Sequence, residues 1–435
     1  MNILQSISNA IWSLPTVVLI LGVGLWFTLA LGVPQISRLR EIITSPKRCD
    51  ANGHDPKCGS PYSVSPFQAL STALAATVGT GSVIGVATAI TLGGAGAVFW
   101  LWVSAFFGMA VAYAEGVLAI RYRKSSPREG GIWFALRDGL GAPKVAAVYA
   151  LFCVLASFGM GSMAQTNSAA VALSDEFNVP PAVFGIACAS LLGMCLFGEG
   201  FAGRLCEKTV PLLAGLYIIG ALAIIIKNHA ALPDVFKNIF NSAFGLRPAL
   251  GGAAGYSVKT AISIGCRRGV FSNEAGLGTT APVHAASDID DPDRQGLMNM
   301  LEVIIDTFVI CTLTALAVLC TGVETSGAEG AEMITRCAES VFGGFAGKAV
   351  AISIAGFSVA TAVGWSQIGA YAAGFVWPKW HKGYKAAFLS SAFLGTVLTV
   401  ETVWQVSDVF NGLMVVPCLT AVILLSKEVF NARRK

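Results

Sequence analysis

Apolar runs recur along the chain, each near the length of roughly 20 residues that carries a helix across the hydrocarbon core of a bilayer. Eleven are present, at approximately 11–33, 66–92, 95–120, 145–172, 180–198, 209–226, 250–287 with interruptions, 298–322, 347–377, 384–400 and 406–426. The pattern predicts an all-α polytopic membrane protein with eleven transmembrane helices. The polar stretches between the runs are too short for a soluble domain. The opening MNILQSISNAIW carries no basic residue ahead of its apolar run, so a first transmembrane helix is expected there rather than a cleaved leader.

Lysine and arginine give the segments a direction, because cytoplasmic loops accumulate them. With the N-terminus outside, the cytoplasmic segments 34–65, 121–144, 199–208, 288–297, 378–385 and the C-terminal tail hold 21 of these residues, against 5 in the outer segments. The remaining three, Lys259, Arg267 and Arg268, lie in the seventh run. The cell (inner) membrane is the expected location. Composition agrees: 54% of residues are hydrophobic and 12% charged, where a soluble domain carries about 25% charged residues. The formal net charge of +4 is accounted for by the cytoplasmic loops, so no nucleic-acid partner is expected. The eleven cysteines form no CxxC pair, and most sit in apolar runs as small core residues. Cys49, His54 and Cys58 share one loop and could ligate a metal, three candidate ligands without a fourth.

Two of the apolar runs contain residues that weaken helices. LAATVGTGSVIGVATAI, residues 74–90, carries Gly79, Gly81 and Gly85 with the hydroxyls of Thr77, Thr80 and Ser82. RRGVFSNEAGLGTTAPVHAA, residues 267–286, places Gly269, Gly276, Gly278 and Pro282 around Ser272, Asn273 and Glu274. Lipid tolerates a broken helix only where protein lines it. Such a break frees carbonyls that can hold a cation, and N–H groups that can hold a carboxylate. Tight helix packing, which also uses small residues, is the structural alternative. The breaks fall in the second and seventh runs, five apart, and the charge count gives those runs opposite directions. An inverted repeat of five helices meets both conditions. The expected organisation is an extra N-terminal helix (1–33), a first half (66–226), an inverted second half (250–426) and a cytoplasmic tail (427–435).

At these residues the chain resembles the alanine/glycine:cation symporters, sodium-coupled amino-acid carriers with the leucine-transporter type of fold. The resemblance covers nearly the whole chain. It rests on FQALSTALAATVGTGSVIGVATAITLGGAGAVFWLWVSAFFGMAVAYAEGVLAIRYR, GGIWFALRDGLG, GSMAQTNSAA, RRGVFSNEAGLGTTAPVHAA and TAVGWS. Ser82 and Ile84 stand where the family usually has asparagine and alanine, and Gln367–Ala370 replaces its usual YYGE. The resemblance implies a substrate held between the two broken helices and a sodium ion bridging the second and ninth runs. Matched onto this chain, the sodium ligands are the carbonyls of Ala75 and Val78 with Ser358 and Thr361, which share one helix face. The N–H groups around Gly79 and Gly81 would meet the amino-acid carboxylate, with Gln165 a further polar contact. Thr77, Ser272 and Asn273 would meet the ammonium group, Phe271 and Trp365 would bound the side-chain pocket, and Ser82 and Gly276 complete the set.

The charges inside the runs have simpler expected roles. Glu274 is expected to pair with Arg267 or Arg268, and Glu115 with Arg121 or Arg123. Glu302 and Asp306, four apart, share a helix face that could line a proton path, with a solvated vestibule or an ion pair the simpler reading. Residues 287–294, SDIDDPDR, read as a helix-capping turn. No P-loop, HExxH or nucleophile with a recognisable base is present, so neither an enzyme nor a cofactor is expected, only Na+ as coupling ion; Ser82 replaces an asparagine where the resembled fold sometimes holds a second sodium, so the resemblance implies a single coupling ion. The expected function is sodium-driven, alternating-access symport of a small neutral amino acid such as alanine or glycine across the lipid bilayer. The alternatives are a proton-coupled transporter of the same fold and a non-transporting amino-acid sensor.

Overall fold

The computed structural model describes residues 3–47, 64–125, 128–198, 201–245 and 258–433. Cys49, His54 and Cys58 lie outside the described residues. Among the described residues, the regular structure is helical apart from one antiparallel pair of two-residue strands, Lys124–Ser125 with Arg128–Glu129. Seven helices among the described residues are long and apolar enough to cross a membrane. They are α1 (Ile3–Ala30), α4 (Gly96–Arg121), α5 (Pro143–Phe177), α7 (Phe201–Lys227), α10 (Pro292–Thr321), α12 (Phe345–Val376) and α14 (Val400–Leu424). An eighth span is the bent pair α2 (Pro66–Thr77) and α3 (Gly81–Gly93). Shorter helices include α6 (Pro181–Phe197), α8 (Val258–Asn273), α9 (Ala281–Ala285), α11 (Gly330–Phe342) and α13 (His381–Val397).

Helix ends differ from the apolar limits where the end turns are polar. α7 begins eight residues before its expected start and includes Arg204, Glu207 and Lys208, and α10 begins at Pro292. Hydropathy misses such turns although their backbone is helical. Asp291 caps α10 by accepting from the Asp293 N–H at 3.0 Å, so the acidic turn does cap a helix. Leu232–Ala243 and α11, both in segments read as loops, are amphipathic helices that bury Val235, Ile239, Met333 and Ile334.

Both glycine-bearing runs are broken. α2 starts cleanly, with Ser65 accepting from the Gln68 N–H at 3.1 Å and proline in the first turn. It stops at Thr77, Val78 turns extended (ψ 90°), and α3 leaves at 47° to α2. The second break follows α8, where Glu274, Gly276 and Gly278 have φ of 57°, 91° and 67°. Three left-handed residues in five cannot continue a helix, and two of them are glycines, which adopt that conformation without strain.

Close approaches then pull other helices onto these breaks. A Cβ on Gly364 of α12 would lie 2.9 Å from the Ala76 nitrogen and 3.0 Å from the Thr72 carbonyl oxygen, so α12 touches the α2 backbone. Gly116 of α4 meets Asn299 of α10 in the same way, and Gly161 of α5 meets Trp365 of α12.

Three membrane helices also carry π-helical turns, at Gly81–Gly85, Gly159–Met163 and Ile304–Cys311. Such wider turns collect at functional sites. Here they precede or contain Ser82, Gln165 and Asp306.

Candidate functional site

The α2–α3 break is surrounded by α5, α8, α10 and α12, and the expected residues divide into three groups around it. The first lies between the break and α12. Because α2 ends at Thr77, the carbonyl of Ala75 belongs to a last turn with no helical donor ahead of it. The Val78 carbonyl accepts from the Thr361 hydroxyl at 3.4 Å. Gly79 sits against Thr361: a Cβ there would overlap the Thr361 hydroxyl and come within 3.2 Å of Gln165 Oε1. Ser358, one turn earlier on α12, has a buried hydroxyl with no hydrogen-bond partner. A buried hydroxyl without a partner is costly. This group therefore gathers oxygens of which one is unsatisfied.

Gln165 holds the break from the α5 side. Its Oε1 accepts from the Thr80 hydroxyl at 2.9 Å and the Thr80 N–H at 3.4 Å, and its Nε2 donates to the Met160 carbonyl at 3.0 Å. Thr80, named at the break but not among the expected site residues, is thus the contact that ties Gln165 to it. Its neighbours Asn167 and Ser168 are structural: Asn167 donates to the Gly395 and Leu398 carbonyls at 2.8 Å, and Ser168 to the Ala164 carbonyl at 2.8 Å.

The second group lies where the π turn of α3 meets α8 and α10. The Thr77 hydroxyl bonds back to the Ala73 carbonyl at 3.3 Å. Ser82 reaches the Thr77 carbonyl at 3.4 Å, the Ser272 hydroxyl at 3.1 Å and the Asp306 carboxylate. A Cβ on Gly81 would stand 3.4 Å from both Phe271 and Ser272. Asn273 donates to Thr307 at 3.1 Å and accepts from the Ala275 N–H at 3.0 Å. Phe271 stacks on Trp404 with ring centroids 5.1 Å apart and the Arg268 guanidinium over both rings.

The third group holds the residues of the second break. Trp365 donates its indole N–H to Glu274 at 3.0 Å, and Glu274 also accepts from the Thr279 hydroxyl. The Gly276 N–H donates to Glu115 at 2.9 Å. Trp365→Phe removes a donor from a buried carboxylate. It is expected to cost about 1–3 kcal/mol, read as a lower melting temperature with helix content unchanged.

Four charge readings change. Arg267 and Arg268 pair with Asp408 of α14 rather than with Glu274, because the left-handed turn at Glu274 carries its side chain away from α8. Glu115 meets Gly276 and the Cys418 thiol, while Arg121 pairs with Glu428 and Arg123 with Asp290. Glu302 bonds His284 at 3.0 Å. Asp306 faces Ser82 and Ser272 instead, because the π turn beginning at Ile304 offsets the face that Glu302 presents. Asp306 and Glu302 are both buried, which rules out a solvated vestibule around them.

A separate cavity of about 330 Å³ opens between α7, α10, α11 and α12. Its lining, including Tyr217, Ile334 and Phe357, is mostly apolar and contains none of the expected site residues.

Broken helices packed against an unbroken one, with buried oxygens at the crossing, belong to a multi-pass membrane protein whose fold solved structures share. The inward-facing conformation of Mhp1 superposes with a TM-score of 0.55 at 14% identity, covering 84% of this chain and 78% of that one. The sequence profile described as the Sodium:alanine symporter family matches residues 1–435, and the chain belongs to that family. The sodium/alanine symporter AgcS of Methanococcus maripaludis is 37% identical over 453 residues, covering 100% of this chain and 98% of its own. The sodium/proton-dependent alanine carrier protein of Bacillus sp. PS3 is 34% identical, covering 85% of this chain and 87% of its own. The protein is therefore a transporter and not an enzyme.

Proposed function

We propose that the protein is a sodium-coupled symporter that carries a small neutral amino acid, of alanine or glycine size, by alternating access. The observation that carries this reading is the crossing of the α2 end with α12. There the Val78 carbonyl, the Thr361 hydroxyl and the unpartnered Ser358 hydroxyl are all buried. Oxygen donors suit a hard cation. On this reading sodium is held by the carbonyls of Ala75 and Val78 and the hydroxyls of Ser358 and Thr361. The ion ties α2 to α12 and fixes the Val78–Thr80 break, with Gln165 supporting it from α5.

The amino acid lies in the break. Its carboxylate meets the N–H groups of Gly79 and Gly81 at the positive end of α3. Its ammonium group meets oxygens of Thr77, Ser82, Ser272 and Asn273, and Gly276 acts from the second break, where its N–H is held by Glu115. Phe271 and Trp365 limit side-chain size, which favours alanine and glycine. The architecture proposed is eleven spans, with an inverted repeat of 66–226 and 250–426 behind an N-terminal helix, 1–33. The N-terminus is outside the cell membrane and the 427–435 tail is cytoplasmic. The spacing of the two breaks and the Lys/Arg asymmetry support it.

The reading is tested by melting the detergent-purified protein with alanine in sodium or potassium chloride. A ligand at 100 times its Kd stabilises by about 2.7 kcal/mol, and that shift is expected in sodium alone. An equal shift in potassium would contradict sodium coupling.

A further inference from the structure

The cavity of about 330 Å³ between α7, α10, α11 and α12 lies apart from the proposed ion and amino-acid positions. Its volume falls within the ordinary range for small-molecule pockets, about 300–1,000 Å³. The polar side chains of its lining are Tyr217, Thr314, Cys337 and Ser353, and each already has a partner in the protein. Tyr217 and Thr314 share a hydrogen bond of 2.6 Å, Cys337 accepts from Thr321 at 3.5 Å, and Ser353 donates to the Ala349 carbonyl at 2.8 Å. A space lined this way takes hydrocarbon in preference to water, which needs about three polar partners. Gly220 keeps the space open. It sits inside the helix α7, where glycine weakens the helix, and a Cβ there would meet no atom within 4 Å. Neither a left-handed backbone nor close packing calls for glycine at this position.

We propose that this cavity holds an acyl chain of a membrane phospholipid, with the lipid phosphate at Lys227. The mouth opens on the outer surface of a membrane span. Leu216 and Phe342 line the cavity and are exposed, as are Ile219 and Ile226 beside them. Such a surface meets lipid tails. Lys227 follows the lining residue Ile224 by three positions and so stands over the same face of α7. Its ammonium group donates to the Val341 carbonyl at 2.6 Å, next to Phe342 at the rim. An ammonium has further donors to offer a phosphate. Lys227 and Tyr217 are nearly three turns apart on α7, roughly 15 Å, a depth that suits a chain rather than a compact solute. The floor reaches the transport machinery from behind. Val83 belongs to the π turn of α3, Thr314 donates to the Ser82 carbonyl at 3.0 Å, and Phe357 precedes Ser358. A chain lodged here therefore packs against the α3 turn that follows the first break and the α12 turn that carries Ser358. The site needs no sodium and no amino acid, so its failure leaves the symport reading standing.

The test places the full-length protein in phosphatidylcholine vesicles doped with phosphatidylglycerol that carries a diazirine near the end of one acyl chain. Irradiation, digestion and mass spectrometry then locate the adducts. Wild type is expected to carry them on Val83, Tyr217 and Phe357 inside the cavity, as well as on the lipid-facing Ile219 and Ile226. Gly220→Leu fills the space with its own side chain and removes a helix-weakening residue. It is expected to lower the inner adducts about tenfold or more, since excluding even two methylene groups weakens binding by about that factor. Adducts on Ile219 and Ile226 should be unchanged in that variant. Lys227→Gln is expected to lower the inner adducts several-fold. Wild-type adducts confined to Ile219 and Ile226 would overturn the proposal whether or not the variants fold. The same pattern with a dimer in native mass spectrometry would overturn it in favour of a second copy of the chain covering the mouth. Inner adducts undiminished in Gly220→Leu would overturn the cavity as the chain's position, and undiminished in Lys227→Gln would overturn the phosphate assignment.

Discussion

Asp408→Asn is expected to destabilise the protein by about 3–5 kcal/mol, the cost of removing one partner from a buried ion pair. Asp408 is the shared acidic partner of Arg267 and Arg268, and all three side chains are buried. Arg267 also donates to Ser8 at 2.5 Å, and the Trp12 indole donates to the Asp408 backbone carbonyl at 2.8 Å, so α1, α8 and α14 meet here. The Arg268 guanidinium lies 4.9 Å from the centroid of the Trp404 ring. Without the carboxylate, two guanidinium groups face each other with no counter-charge, and the Phe271–Trp404 stack loses its anchor. A shorter half-life of the monodisperse protein during heating in detergent is the expected reading. A variant as heat-resistant as wild type would show that the cluster does not depend on Asp408.

Thr361→Ala is expected to raise the sodium concentration for half-maximal uptake about 10- to 100-fold, with Thr361→Ser close to wild type. Contacts to a charged species contribute about 1.5–3 kcal/mol, and each 1.4 kcal/mol is about a tenfold change in affinity. Thr361 is the residue against which both Val78 and Gly79 pack, so the hydroxyl is positioned by the same contacts that hold the break. The serine variant keeps the oxygen and loses only a methyl group. An unchanged sodium dependence in Thr361→Ala would remove the α2–α12 crossing as the ion site.

Much of this molecule was legible in the sequence, for identifiable reasons. Apolar run length predicts spans because the bilayer imposes it, and the expected run at 180–198 became Pro181–Phe197. Glycine clusters marked both breaks for different reasons: a Cβ on Gly79 would overlap Thr361, while Gly276 and Gly278 take positive φ. The pairing of Thr361 with Val78 was reachable through helix periodicity combined with a family resemblance. What stayed hidden depends on backbone irregularity and distance in sequence. Nothing in IIDTFVIC announces a π turn, so Asp306 was read on the face of Glu302. The neighbouring arginines pointed to Glu274, but a left-handed residue redirects that side chain, and the true partner lies 140 residues away from Arg268. Amphipathic Leu232–Ala243 and Gly330–Phe342 were hidden by a reading tuned to spans.

The most direct test of the central claim is uptake of labelled alanine and glycine into proteoliposomes, with an inward sodium gradient or with potassium in its place. Accumulation above equilibrium with sodium alone, blocked by unlabelled alanine or glycine, is the predicted result. Accumulation that persists in potassium, or that follows a pH gradient without sodium, would contradict it.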